Sequence, residues 1–472
     1  MSELAYATAA ELAPQIRARA LSPVALVESL LARIERCRVL NAFITVTADV
    51  ALAQAREAER EIAGGQYRGP LHGIPVSLKD LIDTRGTRTT CGSRILAEHV
   101  PIRDATVTMR LREAGAVLLG KNALHEFAFG VTSNNPHYGP TRNPWDIDRI
   151  PGGSSGGSGA AVAAGLGPVS LGTDTGGSIR IPAAVCGVVG LKPTYGRVSR
   201  HGVFPLSWTL DHIGPLTRSV EDAALVLRAI AGPDPADPST LGHAVPDFYA
   251  GLGGPPRGGR LGVLDDEYHQ EMTEEVRSRF RAALEVLRSL GLRLEDVPFP
   301  RPNEARAAAT AVILAEAASV HEGWMRERPG DYGPETLDLL RQGAFVTASQ
   351  YLRAQKVRAL LLGEVDEWLA PYAAVVLPSV PTTAPPIGQR TLEVGGRQIE
   401  VRGFLTRFSR LINLVGLPAI SVPCGFGDDG LPIGLQIVGR PMDEATILAI
   451  AHAYERATPW HERRPPEPPE ER

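Results

Sequence analysis

Cysteine, methionine and tryptophan are scarce in this 472-residue chain, at four, five and five residues. Cys37, Cys91, Cys186 and Cys424 are widely separated and form no C-x-x-C pair. That argues against a disulfide framework or a zinc site and for reduced thiols in a cytoplasmic setting. There is no excess of one charge: 49 basic residues face 53 acidic ones, for a formal net charge of −4. No global field therefore favours nucleic acid or an anionic membrane. The opening Met1-Ser2-Glu3-Leu4 lacks a basic stretch followed by an apolar one, so no signal peptide is expected. Long apolar runs are missing too, because alanine and glycine interrupt each candidate before it reaches membrane-spanning length.

What remains is an ordinary globular composition, 43% hydrophobic and 22% charged. Thr8-Ala9-Ala10-Glu11 is a capping box, and Ser22-Pro23 opens a second helix with Leu26, Leu30 and Ile34 at helical spacing. A third helix is predicted over Val50 to Gly64. Short strands and helices then alternate. Ile74 to Lys79 reads as a strand despite Pro75, Asp104 as the cap of a helix ending before Gly115, and Ala116 to Leu119 as a buried strand. Ser158 to Ala164 reads as a small-residue helix, and strands follow at Val169 to Leu171 and Arg260 to Leu264. Pro302 to Leu369 is mostly helical. Late strands lie at Val375–Pro378, Ile420–Pro423 and Leu435–Val438, before a helix from Asp443 to Tyr454. The alternation predicts an α/β fold, one large domain over residues 1–463 with a mixed central sheet flanked by helices. Within it a helical region covers about 1–65, a core about 66–232 and a variable helical region about 270–370. The Pro/Glu/Arg tail 464–472 is expected to be disordered.

Three segments carry chemistry. Lys79 ends an apolar strand and precedes Asp80-Leu81-Ile82, a setting that buries it. Burial disfavours the charged amine, and a neutral lysine is a general base. Pro151-Gly152-Gly153-Ser154-Ser155-Gly156-Gly157-Ser158-Gly159 runs straight into an alanine-rich helix, so its amides sit at a helix N-terminus. No Gly-Lys-Ser/Thr follows, which removes the phosphate-loop reading. Ser154 also fits G-x-S-x-G, but the preceding residues are loop rather than strand, so a Ser-His-Asp triad lacks support. Thr173 to Arg180 follows a strand, and Thr175-Gly176-Gly177-Ser178 can turn sharply enough to aim successive N–H groups at one point. His125, His201 and His212 have no metal-ligand spacing and read as packing or surface residues.

These segments resemble the amidase signature family. The likeness runs from Gly69-Pro70-Leu71-His72-Gly73-Ile74-Pro75 through Lys79-Asp80 and the two serine segments. It continues in Gly187-Val188-Val189-Gly190-Leu191-Lys192-Pro193-Thr194, Gly416-Leu417-Pro418-Ala419 and Gly434-Leu435-Gln436. The resemblance implies an amidohydrolase with Ser154 as nucleophile, Ser178 as the bridging serine after a cis Gly177–Ser178 bond, and Lys79 as base. It implies an oxyanion hole from the backbone N–H groups of Thr175, Gly176, Gly177 and Ser178. Asp174 and Arg180 would form a buried structural pair and Ser155 would support the lysine network. No metal or organic cofactor is required. The substrate pocket would draw on Phe127, Ala128, Phe129 and Gly130 and on the helices between Pro302 and Leu369.

The preferred expectation is a stand-alone amidase on a small-molecule amide, with esters, anilides and carbamates (urethanase activity) as further candidates. No nucleic acid contact, no membrane and a homodimer are expected. The alternative is the glutaminase component of a glutamyl-tRNA(Gln) amidotransferase, which shares this machinery and which Thr194-Tyr195-Gly196-Arg197-Val198-Ser199-Arg200 resembles. Gln389 to Gly396 and Ile181 depart from that component's pattern.

Overall fold

The computed structural model describes residues 2–254 and 258–469. Among them eleven strands form one mixed sheet: β1 (Phe43–Val46), β2 (Pro75–Lys79), β3 (Val117–Asn122), β4 (Val169–Asp174), β5 (Val189–Lys192), β6 (His212–Thr217), β7 (Arg260–Leu264), β8 (Arg293–Val297), β9 (Ala374–Pro378), β10 (Ala419–Phe426) and β11 (Pro432–Val438). Their order across the sheet is β1-β3-β2-β4-β6-β5-β10-β11-β9-β7-β8. The β3-β2-β4 centre is parallel, and β4 pairs antiparallel with β6. Helices cover both faces there, so β2, β3 and β4 are buried at every position and do not alternate with polar residues. Pro75 is accommodated as the first residue of β2, where a missing N–H is least costly.

Some helix starts follow the local chemistry. Thr8 and Glu11 cap the helix Ala9–Arg17 reciprocally, and Ser22 accepts the Ala25 amide at the head of Pro23–Arg36. Asp104 does not cap its helix. Its carboxylate accepts the Arg85 amide at 2.7 Å, and the helix Thr106–Glu113 begins after an uncapped Ala105. The small-residue helix spans Gly156–Ala163, two residues earlier than expected, because it packs directly on backbone: a Cβ at Gly157 would stand 2.4 Å from the Ala123 carbonyl oxygen. Residues 302–369 fold as three helices, Pro302–Glu327, Pro334–Ala344 and Ala348–Leu369. The tail is partly docked: Glu467 takes a two-pronged ion pair from the buried Arg33 guanidinium, at 3.1 and 2.9 Å. The rest of the expected disordered tail, 470–472, lies outside the described residues.

Candidate active site

The site is assembled where β2, β4 and the two glycine-serine segments meet. Parallel pairing sets Leu78 opposite Leu171, so the ends of β2 and β4 run side by side. Lys79, the last residue of β2, is fully buried. Its Nζ donates to Ser154 Oγ at 2.7 Å and to Thr173 Oγ1 at 2.7 Å. Burial pulls its pKa down to about 7, and the Asp174 and Asp211 carboxylates recover only part of the loss. Lysine is thus poised between its two protonation states near neutral pH.

The structure corrects the order of the serines. The cis peptide bond lies at Gly153–Ser154, not at Gly177–Ser178. Ser154 is fully buried against the lysine, whereas Ser178 keeps 6% exposure and lines a cavity with Ala128, Phe129, Gly130, Thr175 and Gly176. The physical reason is position. Ser154 heads the packed helix Gly156–Ala163 inside the molecule, and Ser178 closes an open turn that faces the cavity. Ser155 stands one step away from the amine: its Oγ donates to the Thr173 carbonyl at 3.1 Å and accepts the Thr173 amide at 3.2 Å. It therefore holds Thr173, which in turn holds Lys79. Thr173 was not singled out from sequence. Its signal is the strand alternation that puts 173 and 175 on one side of β4 and 174 on the other.

The turn itself is anchored from below. Asp174 accepts hydrogen bonds from the Gly177 amide at 2.8 Å, the Ile179 amide at 3.1 Å, Arg180 Nε and Nη2 at 3.0 and 2.9 Å, and Asn413 Nδ2 at 2.9 Å. Burial opposes its charge. The Arg180 guanidinium, Lys192 and the Asn413 amide outweigh that and hold its pKa well below the usual carboxylate range. Arg180 also reaches Gln436 Oε1 and Asn413 Oδ1, both at 2.6 Å, so the expected buried pair is the centre of a larger network. This removes Gly177 from the oxyanion set, because its N–H is already committed to Asp174. The amides of Thr175, Gly176 and Ser178 have no protein acceptor among the described residues. Gly177 has φ +128°, and a Cβ there would sit 2.2 Å from Ser409 Oγ, so this position requires glycine.

Of the four expected pocket residues, Ala128, Phe129 and Gly130 line the cavity and Phe127 does not. Left-handed backbone at Phe127 and Ala128 turns the chain so that the two phenylalanines diverge. Phe127 goes into an aromatic cluster, edge-on to His321 at 4.4 Å and beside Phe204. The helix Pro302–Glu327 supplies Ile313, and the segment after the departing hairpin supplies Arg402, Thr406 and Arg410, which sequence reasoning missed. A second cavity of about 190 Å³, reaching Thr173, Phe204, Trp208 and Asp211, adjoins the first across Ala128, Thr175 and Leu206.

A family model described as amidase matches residues 25–448. This chain belongs to the amidase signature family. It is 43% identical to the glutamyl-tRNA(Gln) amidotransferase A subunit of Roseiflexus sp. (strain RS-1), over 95% of this chain and 96% of that protein. Among solved structures it superposes with a TM-score of 0.92, at 37% identity, on a chain described under "An unexpected vestigial protein complex reveals the evolutionary origins of an s-triazine catabolic enzyme", covering 95% of this chain and 98% of that one. It matches the Thermotoga maritima glutamyl-tRNA(Gln) amidotransferase A subunit with a TM-score of 0.77 at 37% identity, over 93% and 92% of the two chains. The expected α/β fold with a mixed central sheet agrees with this family. The expected setting does not. Curated relatives across nearly the whole length are named as A subunits of a glutamyl-tRNA(Gln) amidotransferase. That overturns the expectation of a lone homodimeric enzyme for a small-molecule amide, without direct nucleic-acid contact. Among the described residues no helix is long and apolar enough to cross a membrane.

Proposed function

We propose that this chain is the amide-cleaving subunit of an assembly of the glutamyl-tRNA(Gln) amidotransferase kind, freeing ammonia from glutamine for a partner protein. The observation that carries this reading is the 43% identity to such a subunit over 95% of the chain. The chemistry is acyl transfer to serine. Neutral Lys79 donates one hydrogen bond to Thr173 Oγ1, which turns its lone pair toward Ser154 Oγ. Lys79 takes the Ser154 proton, Ser154 takes the Ser178 proton, and Ser178 Oγ attacks the carboxamide carbon. The free amides of Thr175, Gly176 and Ser178 receive the developing oxyanion. The relay then returns the proton to nitrogen, the C–N bond breaks and ammonia leaves. Water attacks the Ser178 ester by the same relay in reverse and releases the acid. No residue in this scheme needs a metal or a cofactor.

The test is ammonia release from glutamine by the full chain, alone and together with the proteins that co-purify with it, followed by amide transfer to glutamyl-tRNA(Gln). Glutamine hydrolysis that rises in the assembly, with nitrogen appearing on the tRNA, is the expected result. Unchanged hydrolysis with and without those proteins, and no labelled tRNA, would overturn the subunit role while leaving the serine chemistry standing.

A further inference from the structure

The cavity in front of Ser178 has a cationic wall that the reaction scheme does not use. Arg402 and Arg410 both line it, with Thr406 between them. Among the described residues neither guanidinium makes a side-chain hydrogen bond to a carboxylate. Arg402 lies over the Phe129 ring, its Cζ 5.2 Å from the centroid. Arg410 donates to Thr310 Oγ1 at 3.0 Å, but its Nε is buried with no acceptor among the described residues. That Nε stands 3.7 Å from where a Cβ on Gly176 would be, directly beside the turn that carries Ser178. Burial and the mutual repulsion of the two cations push the Arg410 pKa down to about 10, and burial lowers that of Arg402. Glu335 and Glu400 favour the charge of Arg402, and Glu400 that of Arg410, but they offset only part of the cost of bringing two like charges together out of water, and a donor left unpaired adds to it. A bound anion removes both penalties. Among the described residues no acidic side chain lines this cavity to do so.

The placement has a local cause. Gln389 to Gly396, where the chain departs from the amidotransferase pattern, forms the first strand and the turn of the hairpin Thr391–Val394 with Arg397–Glu400. Glu400 ends the hairpin and caps the short helix Val401–Leu405, accepting the Gly403 amide at 3.1 Å. Arg402 is the second residue of that helix. Val401 and Leu405 are buried in the apolar cluster behind it, which fixes the helix face. The departing segment thus delivers one of the two arginines.

We propose that Arg402 and Arg410 form a subsite for a carboxylate carried by the amide substrate, so that the preferred substrate is the monoamide of a dicarboxylic acid. The inference rests on Ser178 being the reacting serine and deepens the proposed function by naming what holds the substrate's far end. Planar guanidinium groups suit a planar carboxylate, and charge-assisted pairs of this kind are the stronger hydrogen bonds.

The experiment uses the full-length Ser178→Ala protein, which binds without turnover, and isothermal titration with succinamate and glutaramate beside the uncharged butanamide and pentanamide. The anionic member of one pair at least is expected to bind about thirtyfold or more tightly than its neutral counterpart. Arg402→Gln and Arg410→Gln are each expected to remove most of that preference, and Arg410→Lys to keep part of it, which separates lost charge from lost fold. Equal binding of anionic and neutral amides, or a preference that survives both glutamine substitutions, would overturn the proposal. Because the titration needs neither catalysis nor a partner, its failure is distinct from failure of the amidotransferase role.

Discussion

In the proposed chemistry Lys79 is the decisive residue, and its burial was readable because an apolar strand leads into it. Its depressed pKa makes a signed prediction. Only the neutral amine can accept a proton, so kcat/KM should rise with pH through about 7 and level off above it, measured on any amide the protein cleaves. A profile that falls over that interval would show that the charged amine is the active form. The order of the two serines was not readable. Both lie in similar glycine-rich text, and only the pairing of β2 with β4 and the packing of the following helix decide which one meets the lysine. Thr173 and Arg410 escaped notice for a related reason: each acts through a contact made across the fold, with no local spacing to announce it.

Elements were most legible where their ends are satisfied locally, as at Thr8 and Ser22, and least where the partner is distant. The helix Ala9–Arg17 shows both. Besides its own capping box, its first two amides, those of Ala9 and Ala10, donate to the Asp222 carboxylate at 2.8 and 2.9 Å, across more than two hundred residues. Asp222 lies in the helix Val220–Ile230, so it ties the N-terminal helices to the core. Asp222→Ala would leave two donors without their acceptor and should lower stability by about 1–3 kcal/mol, read as a shift in urea midpoint at unchanged slope. A midpoint within error of the parent protein would contradict that linkage. The hairpin Thr391–Val394 with Arg397–Glu400 was visible only as a departure in sequence. Its consequence, the aim of Arg402, depends on packing against Val401 and Leu405 that no local pattern encodes.

For the whole molecule, the alternation of strands and helices was enough to anticipate one α/β domain, since buried parallel strands need helices on both faces. The amidotransferase setting named for its relatives was the alternative expectation, not the preferred one. Net charge near neutrality argued against a nucleic-acid partner, yet charge reports on direct contact and says nothing of an assembly in which another protein meets the tRNA. What holds these levels together is the proposed relay, with the lysine innermost and Ser178 facing the cavity. The most direct test is to trap the enzyme with a fluorophosphonate and map the modified peptide by mass spectrometry. The account predicts the adduct on Ser178, lost in Ser178→Ala and slowed by roughly four orders of magnitude in Lys79→Ala. An adduct on Ser154, in the parent protein or in the Ser178→Ala variant at the parent rate, would contradict it.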